Sequence, residues 1–235
     1  MERIIRRLEA EPMTRIVALG SSNTELAYHS EGCHNWFGWL EVGLRDRFGR
    51  VHHAINAGVS GETSRDMLAR FDRDVAHYRP HLVIITTGGN DCSPENDLPR
   101  NEFEGNLREL VARCRALSDC LVILQTYYAF DVVAMGDEPE RARRFPEYMD
   151  SVRKVAGTGE AILFDHLVRW ERLRLQDYAT YAGLMRDAMH LNPRGNMVLG
   201  LDVLRQFAAA VTGETAERCA KGIAVQAVMD QLGRG

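Results

Sequence analysis

Four short polar clusters in this 235-residue chain contain the residue types of a nucleophilic hydrolytic site. They read Gly-Ser-Ser-Asn-Thr at 20–24, Asn-Ala-Gly-Val-Ser-Gly-Glu-Thr at 56–63, Gly-Gly-Asn-Asp at 88–91 and Asp-Ala-Met-His at 187–190. In chain order they supply a serine hydroxyl, a turn amide, a side-chain amide and a histidine near a carboxylate. Acyl transfer by a serine requires a nucleophile, a general base, an orienting acid and donors for the oxyanion. The set as a whole therefore indicates this chemistry, although each cluster alone is also typical of a turn.

The first two clusters have a catalytic and a structural interpretation each. Ser22 follows a predicted buried strand, where a nucleophile needs exposure and a base within reach, but the same position favours a turn or an N-cap residue. Gly58 and Gly61 let the backbone approach a ligand closely and turn an N–H toward it. The alternative is a plain strand-to-helix turn. A phosphate cradle is only weakly indicated, because the cluster lacks the Gly-Lys-Ser/Thr ending.

The last two clusters supply a donor and a base. The side-chain NH2 of Asn90 is a candidate oxyanion donor, while Asp91 is placed to tie down its loop; Asn-Asp after Gly-Gly is also ordinary turn chemistry. His190 is the candidate base, with Asp187 three positions before it to fix its tautomer. The other histidines lack such a constellation and are interpreted as surface or structural: His29, His34, His52, His53, His77, His81 and His166.

The elements that must position these clusters alternate along the chain. Short β-branched or aliphatic runs, typical of parallel strands buried on both faces, lie at 16–19, 51–56, 82–87, 121–125 and 161–164. Apolar residues at helical spacing lie between them, at 36–48, 67–78, 103–117 and 197–211, with Pro193 at the start of the last helix. This alternation predicts an α/β fold: a three-layer α/β/α sandwich with a parallel sheet of about five strands. The first three clusters then share the carboxyl edge of the sheet.

The domain prediction has three parts. Residues 1–13 form an N-terminal extension, residues 14–212 the hydrolase domain, and residues 213–235 a C-terminal helical extension. Within the domain, residues 126–159 form a long excursion with a helix around 146–156. The C-terminal extension has a moderately clear apolar stripe at Ala216, Cys219, Ile223 and Ala227.

Composition narrows the function classes. The formal net charge of -4 gives no reason to expect a nucleic-acid partner. No apolar run has the length of a membrane span, and the charged residues at 1–11 exclude a secretory signal there. Five cysteines without a Cys-x-x-Cys pair argue against a disulfide framework and a zinc site, and favour a cytoplasmic location. We expect neither a cofactor nor a metal.

Together the four clusters resemble the SGNH (GDSL-type) hydrolase family, whose name gives its serine, glycine, asparagine and histidine. The resemblance runs from about residue 16 to residue 211, with the clusters in the family's order. It implies a flavodoxin-like fold. It also implies that Ser22 is the nucleophile and donates one oxyanion N–H, that Gly61 donates a second backbone N–H, and that Asn90 donates a side-chain N–H. His190 would be the base and Asp187 its partner.

The sequence departs from the family at one position. The first block of the family usually reads Gly-Asp-Ser, and Ser21 stands here at the aspartate position. That aspartate supports the site without being the nucleophile. Its replacement therefore bears on the organisation of the nucleophile loop more than on the identity of the chemistry.

The resemblance implies a serine hydrolase that cleaves short-chain carboxylic esters, such as O-acetyl groups on carbohydrates, through a Ser-His-Asp acyl-enzyme mechanism. An acyltransferase with the same triad and a catalytically weakened binding protein of the same fold are the alternatives, because the sequence does not describe the acceptor pocket. The expected partner is a small-molecule ester, rather than a nucleic acid or a membrane. A homo-oligomer formed through residues 213–235 is left open.

Overall fold

The computed structural model describes residues 1–10, 13–26, 28–136 and 138–234. In these residues five parallel strands form one sheet in the order β2-β1-β3-β4-β5. The strands are β1 (Thr14–Gly20), β2 (His52–Gly58), β3 (Leu82–Thr86), β4 (Leu121–Gln125) and β5 (Ile162–Phe164). The predicted α/β class, with a parallel sheet of about five strands flanked by helices, is confirmed.

Eleven α-helices and two short 3-10 helices surround the sheet within the described ranges. The 3-10 helices are Ala76–Tyr78 and Pro94–Asn96. The α-helices are α1 (Glu2–Ala10), α2 (Trp36–Phe48), α3 (Ser64–Ala69), α4 (Phe71–Asp74), α5 (Arg100–Ala116), α6 (Pro139–Ala156), α7 (Leu167–Gln176), α8 (Tyr178–Ala182), α9 (Pro193–Arg205), α10 (Gly213–Arg218) and α11 (Ala220–Leu232). In the part of the chain that the structure describes, no helix has the length and apolar content that crossing a bilayer demands.

The strand order brings three of the polar clusters to one place. Gly20 at the end of β1 lies opposite Gly58 at the end of β2 and opposite Thr86 at the end of β3. The order also reverses between β1 and β3, and open α/β sheets bind ligands at such a reversal, outside the carboxyl ends of their strands. The sheet therefore fixes both the neighbours of the site and its location.

Two helices differ from their sequence-based prediction. The apolar stripe at 67–78 predicts one helix, but the structure divides it into α3, α4 and a 3-10 helix, with a break at Arg70. The buried Arg70 guanidinium donates to the Gly20 carbonyl (3.1 Å) and pairs with Glu62, contacts that hold the break in place. The helix expected around 146–156 begins at Pro139 and carries Pro146 inside it, where proline usually interrupts a helix.

The terminal segments pack against the same core as the sheet. Ile4 and Leu8 on α1 are each 1% exposed. In α11 the predicted stripe is wrong, because Ile223 is exposed, whereas Val225 and Met229 are buried. Two helices, α7 and α8, lie in a stretch for which the sequence predicted no helix. The division of the chain at residues 13 and 212 stays a prediction.

Close packing between α2 and α9 relates two loops of the site. Helix α2 follows the loop after β1, and α9 follows the 187–190 cluster. A Cβ on Gly200 would lie 2.5 Å from the Trp39 Cβ and 2.6 Å from the Trp36 carbonyl oxygen, and a Cβ on Gly43 would lie 2.2 Å from a Leu204 methyl carbon. Both glycines are therefore needed for the two helices to approach this closely.

We expect Gly200→Ala to lower the free energy of unfolding by ~1–3 kcal/mol, because the added methyl group overpacks a backbone contact that cannot give way. The matched control is Gly105→Ala on α5, where a Cβ meets nothing within 4 Å. The control should gain up to ~1 kcal/mol from helix propensity. Denaturant titration of both variants measures the difference. Equal stability of the two would show that α2 and α9 separate without cost.

Candidate active site

The nucleophile candidate lies in a tight turn directly after β1. The Thr24 and Glu25 amides both donate to the Ser21 carbonyl at 2.9 Å, which folds the chain back on itself. Gly20 begins this turn, and a Cβ there would lie 2.2 Å from the Thr24 Oγ1. The turn leaves the Ser22 Oγ 2.9 Å from the Nε2 of His190, within hydrogen-bond distance.

Asp187 holds the opposite side of the His190 ring. Its carboxylate oxygens each lie 2.9 Å from Nδ1, and Oδ1 also accepts the backbone N–H groups of Met189 and His190 at 2.9 Å. Burial alone would raise the pKa of Asp187, but these hydrogen bonds and the charge of the ring outweigh it and lower the pKa below its ordinary value. An ionised carboxylate at Nδ1 favours the tautomer whose Nε2 can accept the serine proton.

The loop that carries His190 is tied to its surroundings on both sides. The Tyr128 hydroxyl contacts the Met189 carbonyl oxygen, and the Asp131 amide donates to the Ala188 carbonyl at 2.8 Å. On the other side, the side chain of Asn196 on α9 donates to the Leu191 carbonyl at 3.0 Å and accepts from the Trp36 amide of α2 at 3.1 Å. The base is therefore fixed relative to the helix that follows the nucleophile turn.

The donor candidates lie on the loops after β2 and β3. Gly61 adopts a φ of 80°, a left-handed conformation that favours glycine. The Nδ2 of Asn90 donates to the Glu62 carbonyl at 2.9 Å, which joins the two loops. Gly61 and Asn90 line one cavity of about 160 Å³ together with Ser22 and His190. The structure thus brings these four predicted residues together and places Asp187 against the imidazole; their catalytic roles stay predictions.

Asp91 anchors the loop that carries Asn90. Its fully buried carboxylate accepts from the Ser64 amide (2.8 Å), the Thr87 hydroxyl (2.9 Å) and the Gly88 amide (2.9 Å). Burial raises the pKa of Asp91, and the hydrogen bonds from Ser64, Thr87 and Gly88 act against that rise. One side chain therefore ties the end of β3 to the beginning of α3.

Ser21, at the position of the family's usual aspartate, pairs with a tyrosine. Its hydroxyl lies 2.9 Å from the Tyr127 hydroxyl, and both side chains are buried. Burial raises the pKa of Tyr127 to about 12, so the pair is neutral. The Tyr127 ring also lies against Gly89, where a Cβ would be 3.0 Å from the ring carbon Cζ. A neutral hydrogen bond therefore connects the nucleophile turn to the segment after β4, and the Tyr127 ring of that segment packs against Gly89 in the loop after β3.

The cavity is also lined by residues that the sequence did not indicate, and three of them are His29, Phe130 and Arg141. The His29 ring stacks on His190, with centroids 4.1 Å apart and planes at 15°, and its Nε2 lies 3.2 Å from the Ser60 Oγ. Burial and the neighbouring His190 lower the pKa of His29. Phe130 and Arg141 come from the excursion at 126–159. None of the three belongs to a local motif, so no sequence signal pointed to them.

Within the described residues, no three histidine, cysteine or acidic side chains form a group that could hold a metal ion. The cysteines are unpaired thiols; Cys33 is exposed, while Cys92 and Cys114 are buried. The cavity instead offers a hydroxyl, an imidazole and amide donors, which is a set for acyl chemistry.

Comparison with known proteins shows that the chain is similar to one family of hydrolases. Residues 18–198 match the GDSL-like Lipase/Acylhydrolase family. An acetylxylan esterase from Geobacillus stearothermophilus is 29% identical over 176 residues, which cover 71% of this chain and 74% of that protein. An isoamyl acetate-hydrolyzing esterase 1 homolog from Mus musculus is 26% identical over 213 residues, 80% of this chain and 79% of that protein.

Solved structures agree in fold. A catalytic mutant of the Geobacillus stearothermophilus acetylxylan esterase superimposes with a TM-score of 0.71 at 22% identity, covering 88% of this chain and 100% of that chain. Catalytic mutants of that esterase replace a serine, an aspartate or a histidine by alanine. A lipase/acylhydrolase from Enterococcus faecalis gives a TM-score of 0.68 at 21% identity, covering 86% of this chain and 100% of that chain.

We expect Asp91→Asn to destabilise the protein, because the new NH2 group faces a donor where a carboxylate oxygen had accepted. An unsatisfied buried polar group costs ~1–3 kcal/mol. The exposed Asp72→Asn serves as the control and should leave stability unchanged. Thermal and denaturant unfolding measure both. A stable Asp91→Asn protein would mean that the loop does not depend on the carboxylate.

Proposed function

Since this chain belongs to the GDSL-like lipase/acylhydrolase family and is a carboxylic ester hydrolase, we propose that it removes short acyl groups, acetyl above all, from carbohydrate alcohols through an acyl-enzyme on Ser22. One observation carries the mechanism: an unbroken hydrogen-bonded chain from the Ser22 Oγ through the His190 ring to the Asp187 carboxylate, each step 2.9 Å long. Residues in such a chain can pass a proton from the hydroxyl to the imidazole without rearrangement.

In the first half of the reaction, the Nε2 of His190 takes the proton of Ser22 while Oγ attacks the ester carbonyl carbon. The carbonyl oxygen becomes an oxyanion, which accepts hydrogen bonds from the backbone N–H groups of Ser22 and Gly61 and from the side-chain N–H of Asn90. The tetrahedral intermediate then expels the alcohol oxygen, which takes the proton from His190. The product of this half is an acyl ester on Ser22 and a free alcohol.

In the second half, water repeats the attack. His190 removes a proton from the water, the resulting hydroxide adds to the acyl carbon, and the intermediate releases the carboxylic acid as the proton returns to Ser22 Oγ. Asp187 stays ionised throughout and stabilises the imidazolium that forms in each half. The lowered pKa of Asp187 is consistent with that role.

The size and walls of the cavity support a small acyl group. Its volume of about 160 Å³ is below the ~300–1,000 Å³ of pockets that hold drug-sized ligands. Phe130, Tyr127 and Met189 give it an apolar wall. The names of the relatives point the same way, because an acetylxylan esterase and an isoamyl acetate-hydrolyzing esterase both act on acetyl esters. The first of these supports a carbohydrate alcohol.

The test is a series of nitrophenyl esters of increasing acyl length, run with acetylated xylo-oligosaccharides on the wild type and on Ser22→Ala. We expect acetyl esters to be the best substrates, and we expect Ser22→Ala to lose activity while folding normally, because only one hydroxyl is removed. Acetate is quantified with and without an added alcohol acceptor. Transfer of acetyl to that acceptor in preference to water would instead identify an acyltransferase.

An organophosphonate labels the nucleophile directly and separates the two adjacent serines. The reagent should modify Ser22 stoichiometrically, and Ser21→Ala should still be labelled because the Ser21 hydroxyl is paired with Tyr127. Mass spectrometry of the digested protein locates the adduct. An adduct on Ser21, or labelling that survives in Ser22→Ala, would show that the nucleophile is assigned incorrectly.

We expect Asn90→Ala to lower kcat by ~10–10³-fold with a smaller change in KM, because an oxyanion donor acts mainly in the transition state. The exposed Asn101→Ala on α5 is the control and should leave both constants unchanged. Steady-state kinetics with an acetyl ester give the two values. A raised KM at constant kcat would make Asn90 a contact of the ground state.

A further inference from the structure

Arg141 places a buried guanidinium directly behind the oxyanion donor candidate. It lies in the first turn of α6, lines the cavity, and is 9% exposed. Its Nε and Nη2 atoms donate to the Gly89 carbonyl at 3.1 and 2.8 Å, and Nη2 also donates to the Asn90 Oδ1 at 3.1 Å. Three hydrogen bonds from one side chain therefore converge on two adjacent residues of the loop after β3.

These contacts fix which way the Asn90 amide points. A guanidinium has only donors, so the atom that faces Arg141 must be the amide oxygen. The amide nitrogen is then directed toward the Glu62 carbonyl, 2.9 Å away. That carbonyl uses one N–H of the NH2 group, and the other remains for a substrate oxyanion. If a neutral acceptor stood in place of Arg141, the amide would lie between two acceptors, and either orientation would satisfy one of them. The amide would then have no preferred orientation.

The charge of Arg141 acts in the same direction. A cation at the amide oxygen draws electron density from the N–H groups and strengthens them as donors. The two hydrogen bonds to the Gly89 carbonyl hold the guanidinium in place beside that amide oxygen. The one carboxylate paired with Arg141 in the described residues is the half-exposed Glu138, at 3.1 Å. Burial of a cation costs free energy unless the cation is paired and hydrogen-bonded, and Glu138, Gly89 and Asn90 supply those partners here.

We propose that Arg141 is a positioning residue of the oxyanion hole: it sets the orientation of the Asn90 amide and polarises it toward the developing negative charge. The inference rests on the proposed function, since Asn90 has this role only where an oxyanion forms. It predicts that Arg141 acts through Asn90 and that its effect disappears when the Asn90 side chain is absent.

The experiment is a double-mutant cycle on acetyl ester hydrolysis with Arg141→Gln, Asn90→Ala and the double variant. Arg141→Gln should lower kcat by ~10–10²-fold with KM changed by no more than about twofold, a smaller loss than removal of a whole oxyanion donor. In the Asn90→Ala background the same substitution should change kcat by less than about twofold. Arg141→Lys, which keeps the charge but not the planar fork, should recover part of the activity.

The matched control is Arg144→Gln. Arg144 lies one turn further along α6, is half-buried, and likewise donates to a loop carbonyl, that of Leu98, but it does not line the cavity. This variant should retain wild-type kcat. Thermal unfolding of every variant is measured alongside, and if Arg141→Gln does not fold, the cycle is repeated with Arg141→Lys, for which the same coupling to Asn90 is expected.

Three results would overturn the inference. These are an equal loss of kcat from the Arg141 substitution in both backgrounds, a raised KM with unchanged kcat, or no loss at all. Failure of the proposed function looks different, because the wild type would then hydrolyse no ester, or Ser22→Ala would remain active. The two outcomes are therefore separable in one set of assays.

Discussion

The crowded carboxyl end of β1 is the constraint on which the site depends. The Gly20 carbonyl accepts the Val59 amide and the Arg70 guanidinium, each at 3.1 Å. On the other side of the same residue there is no space for a Cβ, which would meet the Thr24 hydroxyl and the Thr86 carbonyl oxygen. Groups from the end of β3, from the residue after β2 and from the nucleophile turn itself therefore crowd around Gly20, which restricts the direction of the turn that follows. Ser22 owes its position to this crowding.

The other two loops of the site are held in place by different kinds of contact. The donor loop after β3 is held by a buried carboxylate, Asp91, and by a buried guanidinium, Arg141. The loop with the base is held by backbone hydrogen bonds and by Tyr128. Two of these residues, Arg141 and Tyr128, come from 126–159, the stretch between β4 and β5. The excursion that looks least regular in the sequence is therefore a main support of the site.

Prediction from the sequence succeeded where the signal was local. Continuous apolar runs predicted the strands, because a strand covered on both faces must be apolar throughout. The first three clusters were predicted to meet because parallel strands end at a common edge, and the structure brings Ser22, Gly61 and Asn90 to one cavity together with His190 of the fourth cluster. The rest depended on distant partners: Arg70 breaks a helix by bonding to the Gly20 carbonyl, and His29 reaches His190 by ring stacking across 161 positions of the chain. Such contacts leave no periodic pattern or motif in the sequence. The apolar stripe that includes Ile223 was predicted wrongly because α11 buries a different face.

The neutral pair of Ser21 and Tyr127 has a consequence for acid tolerance. A carboxylate at this position would gain a proton as the solution becomes acidic, and its hydrogen bonds would change with its charge. The tyrosine hydroxyl, with a pKa of about 12, has no proton to gain in acid and none to lose until the solution is strongly alkaline. The hydrogen bond beneath the nucleophile turn therefore stays neutral from acidic to moderately alkaline solution.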